Sequence, residues 1–409
     1  AQLSADIGGD TDRFYLSLSD PYFLGTQWAA GATAFSTDIQ YEDFENENSG
    51  IDLSLGRALD EEGRTRGFVR YGYAGRKVDE SGYGIDLDGD GDADVEGVNA
   101  ASLIQRELEQ GEETTSLLGL GFRRDTRDDR VLPKKGYQLF GGVDWAGLGG
   151  FSQFARLEGR ASWYTPMPEW LPDFVPLKDS SSFSFSLRTG WALPFNEIGD
   201  WDLGDGASGC FNPEWCTLDL IDDDLDLPLT ERYFLGGLGT YQLRGFKARS
   251  VGPRRAVLWN TSGLGTGPFF APTGVNPLTG ACANGPDNPF QGNESGKCNS
   301  LDDQEIDDFD DIDETDVIGG NVFLALSGEY RFPISEALGL VGILFLDLGN
   351  AFAENENPLD VGLWRYGTGF GGLWFSPFGP LQAFVGFPLD KLEVEDALVF
   401  EFSVGGAPL

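Results

Sequence analysis

The residues best suited to chemistry lie in three places. At 231–246 the chain reads ERYFLGGLGTYQLRGF, a glycine-rich stretch whose Arg244 stands between Leu243 and Gly245, just before Phe246. A guanidinium is a fixed fork of donors that fits a carboxylate better than an ammonium does, and the glycines let the backbone around it turn tightly. At 86–97, DLDGDGDADVEG spaces Asp86, Asp88, Asp90, Asp92 and Asp94 as the oxygen ligands of a calcium loop, with Gly91 at the sharp turn. Its twelfth position is Gly97 where an EF-hand carries a bidentate glutamate, so the stretch reads as a weakened calcium site or as a solvated acidic loop. Cys210, Cys216, Cys282 and Cys298 fall within one irregular region, and an even, clustered set suggests disulfides made in an oxidising compartment. Sequence neighbours suggest Cys210 with Cys216 and Cys282 with Cys298. Three connectivities are open, and four free thiols are the plain alternative.

Composition removes whole classes of function. There is no histidine among the 409 residues, so His-dependent triads and most zinc chemistry are unavailable, and no cofactor is required by what remains. A formal net charge of −39 excludes nucleic acid, whose phosphates need a basic footprint. No apolar run is long enough for a membrane-spanning helix. No basic and apolar leader stands at Ala1, so any signal peptide is expected to have been removed or to lie upstream. No linker divides the chain into separate cores, and one large closed structure is expected.

The elements that must position these residues are strands. RFYLSLS alternates Phe14, Leu16 and Leu18 with Tyr15, Ser17 and Ser19, and SSFSFSLRTGW alternates Phe183, Phe185, Leu187 and Trp191 with serines, Arg188 and Gly190. Fourteen such segments are expected, near 1–9, 13–19, 27–38, 50–59, 66–78, 115–125, 136–146, 151–165, 182–193, 320–332, 339–352, 363–376, 380–388 and 397–406. Connections alternate between mostly short turns and long acidic loops at 38–50, 79–114 and 194–319, as in an all-β transmembrane antiparallel barrel with its short rim in the periplasm and its long loops outside; one, TPMPEWLPDFVPLKDS, is longer than its rim predicts, and its prolines suggest a stiff surface segment. Aromatic pairs near strand ends, Tyr22 and Phe23, Trp163 and Tyr164, Trp364 and Tyr366, Trp374 and Phe375, read as interfacial girdles. On 321–332 parity places Asn321, Ser327, Glu329 and Arg331 opposite Val322, Leu324, Leu326, Tyr330 and Phe332.

Six ordered motifs carry a family resemblance: LSDPYFLGTQ, LGFRRDTRDDRVLPKKGYQLFGG, LRGF, SGEYRFPI, FLDLGNAF and RYGTGFGGLWFSPFGPLQAFVGFPL. Together they span nearly the whole chain, which resembles the barrels of the BamA family of outer-membrane insertases and, more broadly, barrels that carry periplasmic POTRA domains. The resemblance implies sixteen strands, two of them upstream of Ala1 together with the POTRA domains, and one barrel domain over 1–409. It implies that the long loop 194–319 folds its Arg-Gly-Phe tip back into the lumen. Arg244 would then latch onto Glu329 and Asp347; an ordinary exposed ion pair is the alternative. The closing side of the family's lateral gate would be ALVFEFSVGG, with Leu398, Phe400, Phe402 and Val404 outward and Glu401 inward.

By resemblance the function is folding and insertion of β-barrel proteins through a lateral seam, without covalent chemistry. Implied partners are unfolded outer-membrane clients, outer-membrane lipids and periplasmic assembly lipoproteins. A TamA-like assembly factor or two-partner secretion transporter shares the loop motif, and a passive porin is the competing reading from another class.

Overall fold

The computed structural model describes residues 2–7, 11–40, 45–79, 100–101, 111–129, 132–167, 181–195, 227–260, 268–270, 315–335, 337–353, 356–376, 379–392 and 395–404. The main sheet has fourteen strands in consecutive antiparallel order. They are β1 (Gln2–Ile7), β2 (Thr11–Asp20), β3 (Ala29–Gln40), β4 (Glu45–Ala58), β5 (Thr65–Asp79), β7 (Glu113–Asp125), β8 (Gly136–Gly150), β9 (Phe154–Pro166), β10 (Ser182–Pro194), β14 (Val322–Ser335), β15 (Leu340–Phe352), β16 (Arg365–Ser376), β17 (Gly379–Pro388) and β18 (Val399–Val404). Each coincides with a segment expected from period-two patterning. A second, four-stranded sheet is built within the long connections from β6 (Ala100–Ala101), β11 (Arg254–Asn260), β12 (Pro268–Phe270) and β13 (Thr315–Val317).

Side-chain parity decides which face meets what. Phe14, Leu16 and Leu18 on β2, Leu118, Leu120 and Phe122 on β7, and Phe185 and Leu187 on β10 are all exposed, between 39% and 59%. Rows of exposed phenylalanine and leucine on strand after strand would be an aggregation hazard in water; against lipid they are the stable arrangement. The opposite face carries Ser182, Ser184, Ser327 and Asp347, all buried. An apolar core also lies inside, between Leu227, Tyr233, Leu235, Leu243, Phe246 and Val251 of the long connection and Phe154, Phe323, Ala325 and Ala351 of the wall. One segment, 227–253, thus touches strands far apart in the sheet, so the sheet curls around it as a barrel.

Two expectations are corrected. Tyr164 is not a girdle residue: it is 2% exposed, inside, beneath the guanidinium groups of Arg127 and Arg331, while its neighbour Trp163 is 57% exposed. Adjacent strand residues face opposite sides, so only one of such a pair can meet the interface. The acidic stretch 38–50 is not a long loop, because β3 runs to Gln40 and β4 begins at Glu45, with Asp38↔Glu47 and Gln40↔Glu45 in register. Its polar residues pair in the ladder as readily as apolar ones, since the backbone makes the bonds.

Candidate functional site

The segment 227–253 is held as a doubled-back strip by three isolated bridges, Tyr233↔Gly320, Leu235↔Val251 and Gly237↔Leu243. Beyond the last of these the chain turns through Gly245 at φ +102°, a conformation L side chains rarely adopt, and this aims Arg244 and Phe246 into the wall.

Arg244 is 1% exposed and Asp347, on β15, is 0% exposed. Arg244 Nε donates to Asp347 Oδ2 at 2.8 Å, Nη2 to Oδ1 at 2.8 Å, and the backbone N–H to Oδ2 at 3.0 Å. Nη2 also donates to Ser327 Oγ at 2.9 Å, and Ser327 Oγ donates to Asp347 Oδ1 at 2.6 Å. Nη1 lies 2.8 Å from Glu329 Oε1, and Arg331 Nε donates to Glu329 Oε2 at 2.7 Å. Phe345 and Phe384 lie under the guanidinium, 4.0 and 5.0 Å from Cζ. A buried charge is tolerated only when its partners and hydrogen bonds are complete, and those of Arg244 are.

The wall makes room for this contact. A Cβ at Gly367 of β16 would sit 1.9 Å from the Arg244 carbonyl oxygen, and one at Gly386 of β17 would sit 2.5 Å from the Gly245 nitrogen. Leu238 N–H donates to Glu401 Oε1 at 2.9 Å, so the strip also reaches β18.

Its other end is anchored on the opposite wall. Glu231, 2% exposed, is paired with Arg76 of β5 and accepts from Arg156 Nη2 of β9 at 2.9 Å and from Thr115 Oγ1 of β7 at 3.0 Å. Glu231→Ala is expected to lower stability at the lower end of the ~3–5 kcal/mol that breaking a buried pair costs, because Arg76 and Arg156 keep some access to water. The temperature at which the folded electrophoretic form is lost would fall, with Glu231→Gln in between. Equal temperatures for all three proteins would refute the anchor.

The structure thus brings Arg244, Gly245, Phe246, Glu329 and Asp347 together, with Phe246 packed in the inner core and Arg365 Cζ 4.8 Å from its ring centre. Leu398, Phe400 and Phe402 are exposed on one face, Glu401 points the other way, and Val404 ends β18. Asp86, Asp88, Asp90, Asp92, Asp94, Cys210, Cys216, Cys282 and Cys298 lie outside the described residues. Sequence reasoning missed Ser327, Glu231, Arg76 and Arg156. The available signal was the inward parity of Arg76 on β5 and Arg156 on β9; Glu231 lies in a short 3-10 turn, Leu229–Glu231, and carries no strand parity.

A family description, the Omp85 superfamily domain, matches residues 1–407. The chain belongs to the Omp85 superfamily. An outer membrane protein assembly factor BamA from Nitratidesulfovibrio vulgaris is 22% identical over 410 residues, covering 99% of this chain and 37% of the relative. Among solved structures, BamA from Haemophilus ducreyi lacking POTRA domains 1–3 superposes with a TM-score of 0.60 at 16% identity, over 98% of this chain and 63% of that one. CdiB from Acinetobacter baumannii matches with a TM-score of 0.47 at 12% identity, covering 96% of this chain and 49% of that chain. This Omp85 chain therefore spans well under half of the curated relative and less than two thirds of the BamA structure.

Proposed function

We propose that this Omp85 barrel is a BamA-like insertase of the bacterial outer membrane, folding and inserting other β-barrel proteins through a lateral seam beside β18. The observation that carries the reading is that one lumenal strip grips β14 and β15 through Arg244 and touches β18 through Glu401. The grip keeps the wall in register while the neighbouring edge opens. β18 is six residues long against 14 for β14, so its ladder is the weaker one, and an edge strand's unpaired N–H and C=O groups are a template to which a client strand can add. A short strand also thins the bilayer beside it and lowers the barrier to insertion.

The short turns face the periplasm and the long loops the exterior, with POTRA domains and two further strands preceding residue 1. Clients, lipids and assembly lipoproteins are the partners, and the work is done by strand pairing with no covalent step. A passive porin fits less well, since the strip 227–253 packs across the lumen.

The test is reconstitution of the full-length protein in lipid vesicles, followed by addition of a urea-unfolded outer-membrane barrel protein. The folded client should accumulate at least tenfold faster than with empty vesicles. An unaltered rate would overturn the insertase reading.

A further inference from the structure

The short-turn end of the lumen holds a cavity of about 440 Å³, roofed by Thr240 and Gln242 of the strip. Its wall is unusual for so acidic a chain. Arg123 is in register with Phe140, Phe140 with Arg160, and Arg160 with Arg188, which makes one cross-strand row over β7, β8, β9 and β10. The next row toward the short turns is Gln138, Ser162, Ser186 and Ser327, small or polar side chains that leave the space open.

Charge in the cavity is unbalanced. Among the described residues Glu329 is the one acid lining it, already engaged by Arg244 and Arg331, and the lining Arg127 is held by Asp125. Arg160 lies 3.6 Å from Glu158 and is otherwise stacked over Phe140, its Cζ 5.3 Å from the ring centre. Arg123 meets the Gln138 amide, whose oxygen would accept from Nε at 2.9 Å when turned toward it. Arg188 is 7% exposed and donates to the Gly239 and Gln242 carbonyls, and among the described residues its Nε has no partner. Like charges directly opposite each other, as Arg160 and Arg188 are, destabilise a sheet unless an anion lies between them.

We propose that this arginine row is a binding site for the carboxylates of an extended acidic polypeptide segment that enters from the short-turn rim. Three interstrand steps of ~4.8 Å separate the backbones of Arg123 and Arg188 by about 14 Å, a spread that suits successive carboxylates along an extended chain better than one anion held by all three arginines. Paired guanidinium donors match carboxylates, and Phe140 in the middle offers an apolar contact between them. The site stands on its own geometry; that its natural occupant is a segment of an unfolded client rests on the insertase reading.

The experiment measures binding of a rhodamine-labelled peptide carrying two aspartates to the full-length protein in nanodiscs, by fluorescence anisotropy. An otherwise identical peptide carrying asparagines is the control. The aspartate peptide should bind at least tenfold tighter, and the Arg123→Gln/Arg160→Gln double variant should erase the difference. Equal affinities would overturn the proposal, as would full competition by millimolar inorganic phosphate, marking a single-oxyanion site, or by short-chain phosphatidylglycerol, marking a headgroup site.

In the unaltered protein, the aspartate peptide should also protect Arg123 and Arg160 from phenylglyoxal, read by mass spectrometry, and the asparagine peptide should not. Unchanged modification would overturn the site even if the double variant fails to fold. Peptide binding that persists without client insertion would overturn the insertase reading and leave the site standing.

Discussion

Arg244→Ala should give a barrel destabilised by about 3–5 kcal/mol, the cost of removing one partner from a buried ion pair. The magnitude follows from what is left behind. Asp347 is fully enclosed and would lose both guanidinium bonds and the charge that balances it, keeping only the residue 244 backbone N–H and Ser327 Oγ, while Glu329 would keep Arg331. Arg244→Lys should recover less than half of the loss, because one ammonium cannot span Asp347, Ser327 and Glu329 as the planar fork does. The measurement is the midpoint of thermal conversion from the folded to the unfolded electrophoretic form, paired with the client-insertion rate. A variant that converts at the wild-type temperature would show that the ion pair holds nothing.

Gly367→Ala and Gly386→Ala should reproduce that phenotype without touching a charge. Each added Cβ meets strip backbone, the Arg244 carbonyl at 1.9 Å or the Gly245 nitrogen at 2.5 Å, and backbone cannot rotate away as a side-chain tip can. Overpacking of this kind costs about 1–3 kcal/mol, and here the relief available is for the strip to lift off the wall and lengthen the Arg244–Asp347 contact. The substitutions should therefore be non-additive with Arg244→Ala: the Gly367→Ala/Arg244→Ala protein should be scarcely less stable than Arg244→Ala alone. Full additivity would mean that the glycines serve β16 and β17 alone.

How much of this was legible in the sequence follows from the range of the interactions. All fourteen wall strands show, because each carries its own alternation and needs no knowledge of its neighbour. β6, β12 and β13 do not: two or three residues are too few for a period, and β6 and β13 reach β11 only through pairings between positions far apart in the chain, such as Leu258↔Ala100 and Arg254↔Val317. Glu329 and Asp347 are legible as inward acids, and their meeting with Arg244 through family resemblance. Ser327 shows only as an inward-facing residue, its place between Asp347 and Arg244 being a matter of three-dimensional register. The anchor at Glu231 was missed because a lumen wall is expected to be polar, so Arg76 and Arg156 read as solvated residues until the strip is seen between them. The glycines of RYGTGFGG suggest a strand free to bend; in the fold, Gly367 is where another backbone comes too close for any side chain.

The central claim is that residues 227–253 form a fixed strip pinned inside the barrel, and amide hydrogen exchange on the full-length protein in nanodiscs tests it most directly. The bonded amides of Leu235, Gly237, Leu243, Arg244 and Val251 should exchange as slowly as those of β14 and β15, and at least a hundredfold faster in Arg244→Ala. Exchange in the unaltered protein at the rate of an unstructured loop would contradict the account.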